Sequence, residues 1–363
     1  MGFNCGIVGL PNVGKSTLFN ALTKAQIPAE NYPFCTIEPN IGVVPVPDPR
    51  LEKLATIAQS KKIIPTTIEF VDIAGLVAGA SQGEGLGNKF LSHIRQTDAI
   101  AEVVRCFDND DIAHVSGQIN PIDDSETVHT ELLLADLETL NNAIERINRV
   151  AKSGNKTANE DLKVFETARE HIDLGSPMRV YQCEEKDKKL LEDLHLLTLK
   201  PLFYIANISE DGVKENTHIK QLTQLSADNN AIVIPVCAKL EAELSDLDEA
   251  EKLQFLADMG MQEPGLNSII RAGYKILGLQ TFFTAGPKEA RAWTIKQGML
   301  APQAAGKIHT DFEEGFIRAE VITYTDYIEC QGEPGAKEKG KWKLEGKEYV
   351  MQEGDVVHFR FNV

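Results

Sequence analysis

Near the N-terminus, Gly9-Leu-Pro-Asn-Val-Gly14-Lys15-Ser16 matches the pattern GxxxxGK[ST]. It follows the apolar run FNCGIV (3–8) and precedes KSTLFNALTKA, in which Leu18, Leu22 and Ala25 recur at helical spacing. A strand that feeds a glycine loop opening a helix is the setting in which this pattern binds phosphate. The glycines let the loop curl so that successive backbone N–H groups face phosphate oxygens, and the helix N-terminus adds positive partial charge. Lys15 is expected to reach the β- and γ-phosphates, and the Ser16 hydroxyl to coordinate Mg²⁺.

A protein that cleaves a triphosphate also needs a sensor of the γ-phosphate and a second hold on the metal. Asp72-Ile-Ala-Gly75 ends the run TIEFVDI (67–73), where a parallel sheet presents its ligand edge. Asp72 is expected to hold Mg²⁺ through water, with the Gly75 N–H facing the γ-phosphate. Thr36, in the Pro-flanked loop NYPFCTIEPN, is the hydroxyl expected to close over the metal when a triphosphate is present. Glycines 79, 83, 85 and 87 predict a segment that orders on triphosphate binding. Gly83-x-Gly85 is not a dinucleotide fingerprint, because Asn88 takes the third glycine position and no strand feeds the turn.

The base should be read after a late strand, and PLFYIANISED fits that place. Guanine-specific switches carry NKxD there, with the Asp accepting from the guanine N1–H and exocyclic amine. Here the residues are Asn207-Ile208-Ser209-Glu210. Glu210 is one methylene too long, which displaces its oxygens by about 1.3–1.5 Å and spoils a bidentate pair. Asn207 suits the N6/N7 edge of adenine and Ile208 offers an apolar face. ATP is therefore expected over GTP, and Cys237-Ala238-Lys239 should supply the other wall of the base site. In Ras-like proteins a Gln after DxxG orients the attacking water; here it is Leu76, which cannot. His93 and His114 are the side-chain candidates for that role. Backbone groups, a partner, or a monovalent cation such as K⁺ near Asn12 are the alternatives. Slow turnover follows.

Elements that would position these groups are visible in the pattern. Continuous apolar runs at 41–46, 67–73, 99–107, 201–208 and 231–237 alternate with amphipathic helices, which indicates an α/β fold with a mostly parallel sheet covered on both faces. Between about 121 and 200 the series is interrupted. There Leu133, Leu137, Leu140, Ile144, Ile147 and Ala151 form a heptad seam, answered by Leu162, Phe165, Arg169 and Ile172. An antiparallel coiled-coil hairpin projecting from the sheet is expected, with a wall packed flat on it as the alternative. After residue 277 short alternating runs describe a mixed β domain of about 85 residues. The expected domains are 1–120 with 200–277, 121–199, and 278–363.

The six cysteines are scattered, which suits reduced thiols in the cytoplasm better than disulfides or a zinc site. No run approaches the ~20 apolar residues of a membrane span, and the N-terminus lacks the pattern of a signal peptide. The net charge of −17 argues against a generally basic nucleic-acid binder. Residues 278–363 hold 11 Lys and Arg against 13 Asp and Glu, so the acidity lies mainly before them. The run Lys337, Lys339, Lys341, Trp342, Lys343 and Lys347 is the local candidate for RNA contact.

Taken together, GLPNVGKS, NYPFCTIEPN, DIAGLVAGASQGEGLGNKFL and NISE resemble the YchF, or Obg-like ATPase, family of translation-associated P-loop proteins. The resemblance runs over the whole chain and implies a C-terminal β-grasp module of the TGS type. It implies a switch that hydrolyses ATP and engages ribosomes. By motif match, Asn12, Val13, Gly14, Lys15, Ser16 and Thr17 would take the triphosphate, Ser16 and Thr36 the Mg²⁺, and Asn207 and Ile208 the base. A monomer is expected. A GTPase of the Obg type and a nucleotide-locked scaffold without catalysis are the competing readings.

Overall fold

The computed structural model describes residues 3–24, 40–73, 86–109, 119–152, 154–210, 212 and 216–362. From the N-terminus the elements run β1 (Asn4–Val8), α1 (Lys15–Lys24), β2 (Ile41–Pro45), α2 (Pro49–Ala58), β3 (Ile63–Ile64), β4 (Thr67–Asp72), α3 (Leu86–Arg95) and β5 (Ala99–Arg105). Next come α4 (Pro121–Ala151), α5 (Lys156–Asp173), α6 (Glu185–Glu192), β6 (Leu202–Asn207), α7 (Thr217–Asp228), β7 (Ile232–Val236), α8 (Ala238–Leu244), α9 (Glu249–Asp258) and α10 (Gly265–Ile276). The last part holds β8 (Leu279–Ala285), β9 (Ala290–Lys296), α11 (Ala301–Gly306), α12 (Thr310–Glu314), β10 (Phe316–Thr323), α13 (Tyr324–Glu329), α14 (Glu333–Glu338), β11 (Lys343–Glu345) and β12 (Asp355–Phe361). Two compact units result: 1–44 with 69–269, and 45–68 with 270–363.

The first unit is built on a sheet of order β2-β4-β1-β5-β6-β7. Strands β4, β1, β5, β6 and β7 run parallel to one another. Every residue of β5 and β6 is buried, as a sheet covered on both faces requires. The chain leaves β1 toward β4 on one side and returns as β5 on the other. Strand order thus reverses at the carboxyl end of β1, where doubly wound sheets bind ligands.

The helical insertion is half wall and half hairpin. At its root, α4 packs on β5 and α7, with His129 Nε2 at 3.1 Å from Glu102 Oε2 and 3.3 Å from the Tyr204 hydroxyl. Asp136 is fully buried and accepts from the Leu197 and Thr198 N–H groups and the Thr198 hydroxyl at 2.7–2.8 Å. Farther along, Leu140 and Ile144 meet Phe165, Ala168 and Ile172 of α5 in one apolar cluster. The seam differs from the expected one at a single place: Ala168 is buried, while Arg169 is only half-buried and lies 4.0 Å from Asp173.

In the second unit the sheet order is β11-β10-β12-β8-β9-β3, with antiparallel pairs except β12/β8 and β3/β9. Its helix α2 contributes Leu51, Leu54 and Ala55 to a core with Phe283, Ala292, Ile322 and Val356. Residues 45–68, expected in the nucleotide domain, therefore belong with the C-terminal sheet. The physical reason is long-range: β3 pairs Ile63 with Ala290 of β9, and Arg50 is held by Asp48 at 2.7 Å and Glu353 at 2.5 Å.

Candidate functional site

At the carboxyl edge of the parallel sheet, β1 delivers the chain into Gly9, where a Cβ would stand 2.6 Å from the Val103 carbonyl oxygen. Asn12 (φ 64°) and Gly14 (φ 94°) then take left-handed backbone. A Cβ at Gly14 would also lie 2.1 Å from Asn207 Nδ2, so the position needs glycine both for its backbone and for room. Val13 is buried beneath the loop, while Asn12, Ser16 and Thr17 are exposed above it. Because α1 starts at Lys15, the amides of its first turn have no partner within the helix and are available to a ligand.

The structure brings Lys15 and Asp72 together. Lys15 is buried and its ammonium is paired with the Asp72 carboxylate at the end of β4. The Ser16 hydroxyl and the Asp72 carboxylate are hard oxygen donors of the kind Mg²⁺ accepts one or two of, the rest coming from water and phosphate. Among the described residues no cluster of three or more His, Cys, Asp or Glu forms a dedicated cage. The donor set fits a metal held jointly with phosphates. Thr36, Gly75, Leu76 and His114 lie outside the described residues. His93 is exposed on α3 and has no hydrogen bond to the phosphate loop among the described residues.

Asn207 ends β6 with a buried side chain. Its Nδ2 donates to the Val13 carbonyl at 2.8 Å and its Oδ1 accepts from the Ala238 N–H at 3.0 Å. The residue assigned above to the base is thus first a strap between the phosphate loop and α8. One N–H and one lone pair of its amide remain for a ligand.

Beside this strap lies a cavity of about 770 Å³. Ile208 and Ala238 line it while remaining almost wholly buried. Glu210 and Lys239 line it too and form a 2.8 Å ion pair. Phe107 and Asn109, which the sequence reading missed, complete the wall. Both are held by Arg105, buried at the end of β5. Its guanidinium lies 4.8 Å from the Phe107 ring centroid and donates to the carbonyls of Phe107 at 3.2 Å and Asn109 at 2.9 Å. The available signal was position: Phe107 follows a buried strand that ends at the same sheet edge as Gly9.

Elsewhere, burial pushes the Cys106 thiol up to about 12, with the nearby Asp124 adding to the shift, as suits an inert thiol. In the basic run, Lys337 pairs with Glu333 and sits 4.9 Å from the Trp342 ring centroid, while Lys341 lies 3.2 Å from Asp326. Lys339, Lys343 and Lys347 are exposed.

A family model described as "50S ribosome-binding GTPase" matches residues 4–141. The YchF-GTPase_C model, described as "Protein of unknown function (DUF933)", matches residues 279–362. Proteins named ribosome-binding ATPase YchF from Haemophilus influenzae, Escherichia coli O157:H7 and Bacillus subtilis are 60%, 57% and 54% identical, with 100% of both chains covered in each case. The chain belongs to the YchF family. The YchF GTPase of Schizosaccharomyces pombe superposes with a TM-score of 0.90 at 36% identity, covering 99% of this chain and 98% of that one. A GTP-binding protein from Pyrococcus horikoshii OT3, at TM-score 0.63 and 20% identity, shares the fold. The α/β P-loop domain, the helical hairpin and the C-terminal β-grasp module are those of YchF proteins.

Proposed function

We propose that this protein is a nucleotide switch that binds ATP with Mg²⁺, hydrolyses it slowly, takes GTP less well, and couples its nucleotide state to the ribosome. The observation that carries this reading is the phosphate loop braced by Asn207 against α8, beside a cavity of purine-accommodating size. The names of the relatives, ribosome-binding ATPases at 54–60% identity, support the nucleotide and the partner.

In this reading the amides of residues 12–17 cradle the triphosphate. Lys15, paired with the Asp72 carboxylate in the free protein, would turn to the β- and γ-phosphates and leave that carboxylate open to a metal. Ser16 and Asp72, with Thr36, would hold the Mg²⁺, which when bound would neutralise charge on the phosphate oxygens. The Gly75 N–H senses the γ-phosphate. With Leu76 in the position of the usual Gln, His114 or His93 orients the water, and a K⁺ ion near Asn12 is the alternative. RNA or ribosome contact is assigned to the C-terminal unit, through the exposed Lys339, Lys343 and Lys347. Among the described residues no helix is long and apolar enough to cross a membrane. The cytoplasm and a monomeric state complete the reading.

Single-turnover hydrolysis of ATP and GTP, with Lys15→Ala as control, tests it. Phosphate release from ATP by the wild type and not by the variant is expected. Equal slow release from both would leave only a nucleotide-locked scaffold. The yeast relative is called a GTPase, so nucleotide competition decides the base: a GTP preference above about tenfold, or ~1.4 kcal/mol, overturns the ATP assignment. Ribosome binding should weaken steeply with salt.

A further inference from the structure

We propose that Lys239 sets the purine preference of this cavity: its ammonium, seated on the Glu210 carboxylate, converts a guanine-reading group into an adenine-reading one. The inference rests on the reading of the cavity as the base site. Glu210 follows β6 and Lys239 lies in the first turn of α8, and the two side chains meet at 2.8 Å. Their roots are held in register by Asn207, whose Oδ1 accepts the Ala238 N–H, and by the Ile208 N–H, which donates to the Val236 carbonyl at 3.0 Å. Glu243 Oε1 stands 4.0 Å from the same ammonium. Lys239 is the one cation among the described residues lining the cavity, against the carboxylates of Asp108, Glu210, Glu243 and Asp246. Asp246 is engaged elsewhere, by Lys24.

The two purines differ in sign at ring N1. Guanine carries an N–H there, next to its amino group; adenine carries a lone pair. A bare carboxylate only accepts, so it attracts the guanine edge and repels adenine N1. An ammonium only donates, so it offers adenine N1 a partner and opposes the guanine N–H. With Lys239 on Glu210, the wall presents a donor where guanine needs an acceptor. Glutamate length makes guanine recognition poor; Lys239 makes adenine recognition good. Hydrogen bonding to Glu210 raises the ammonium pKa further, so Lys239 keeps its charge at neutral pH.

The test is a double-mutant cycle read as a ratio. Mg-ATP and Mg-GTP compete against N-methylanthraniloyl-ATP on the full-length protein, for wild type, Lys239→Met, Glu210→Gln and the double variant. Methionine keeps the apolar stem and removes the charge at an exposed position, so the fold is preserved. The ratio Kd(GTP)/Kd(ATP) should fall about fivefold or more in Lys239→Met. In the Glu210→Gln background the same change should leave the ratio within twofold. A ratio unmoved by Lys239→Met, or moved equally in both backgrounds, overturns the proposal. Since the cycle reads a change in the ratio, a wild type that prefers GTP would sink the ATP reading alone.

Discussion

The two units of this chain differ sharply in charge, one strongly acidic and the other near-neutral. Residues 45–68 and 270–363 carry 17 Lys and Arg against 15 Asp and Glu, a net of +2; the remaining residues carry 20 against 39, a net of −19. Yet the acidic unit holds the phosphate loop. It does so with backbone amides, a helix terminus and one buried lysine whose charge is already balanced by Asp72. Gripping a triphosphate requires local geometry, not a basic surface. The near-neutral unit has no comparable loop among the described residues, and Lys339, Lys343 and Lys347 are exposed on it. Net charge therefore says little about where a phosphate loop is built.

The division is broken most directly in the two cores. Leu54 of α2 is fully buried in the second unit, and Leu140 of α4 is fully buried in the first. Truncation of either to alanine should cost about 2–5 kcal/mol. Hydrogen exchange followed by mass spectrometry assigns the loss. Leu54→Ala should speed exchange in β8, β10 and β12 and spare β5 and β6; Leu140→Ala should speed it in α4 and α5 and spare β8, β10 and β12. Faster exchange in β5 and β6 for Leu54→Ala would return residues 45–68 to the nucleotide domain.

Next in size is the phosphate grip. Lys15→Ala removes the one cation at the loop and leaves the Asp72 carboxylate without its partner. Single-turnover ATP hydrolysis should fall by about two to three orders of magnitude. Nucleotide-free binding to ribosomes, assigned to the other unit, should stay within a factor of two, measured by co-sedimentation. Loss of both would mean that the units do not divide the work.

How much of this was legible in the sequence depends on the range of the contact. The phosphate loop, Asp72 and the seam from Leu140 to Ile144 are local patterns, and each stands where its period or motif put it. The helix 49–58 was legible as a helix but not as a member of the second unit. RLEKLATIAQS has an apolar face that would suit either sheet, and only the Ile63–Ala290 pairing decides. Asn207 was legible as a residue type, but its service as a strap depends on a carbonyl 194 positions away. Phe107 became part of the cavity wall because Arg105, buried two residues earlier, holds its loop against the strand end.

The smallest expected effect sharpens the electrostatic contrast within the neutral unit. Glu320 of β10 is almost wholly buried and is held by Arg360 of β12 at 2.8 and 3.2 Å. Burial pushes its carboxyl pKa up, but the hydrogen bonds and charge of Arg360 outweigh it, and the net shift is downward. A carboxylate whose folded pKa lies below its unfolded value adds stability above the unfolded pKa. That increment is lost as pH falls through the folded value. Arg360→Gln should therefore destabilise the second unit by about 1 kcal/mol at pH 7. The difference from wild type should shrink toward zero as the pH is taken below the ordinary carboxylate range. Asp136 in the acidic unit has the opposite sign, since burial raises its pKa despite the three hydrogen bonds it accepts. Its contribution is fullest below the unfolded value and fades as pH rises through the folded one. Denaturation of Arg360→Gln and Asp136→Asn against wild type, from pH 3 to pH 8, should thus give differences that trend in opposite directions with pH. Parallel trends would mean that the global charge of −17, and not these two buried carboxylates, governs the acid response.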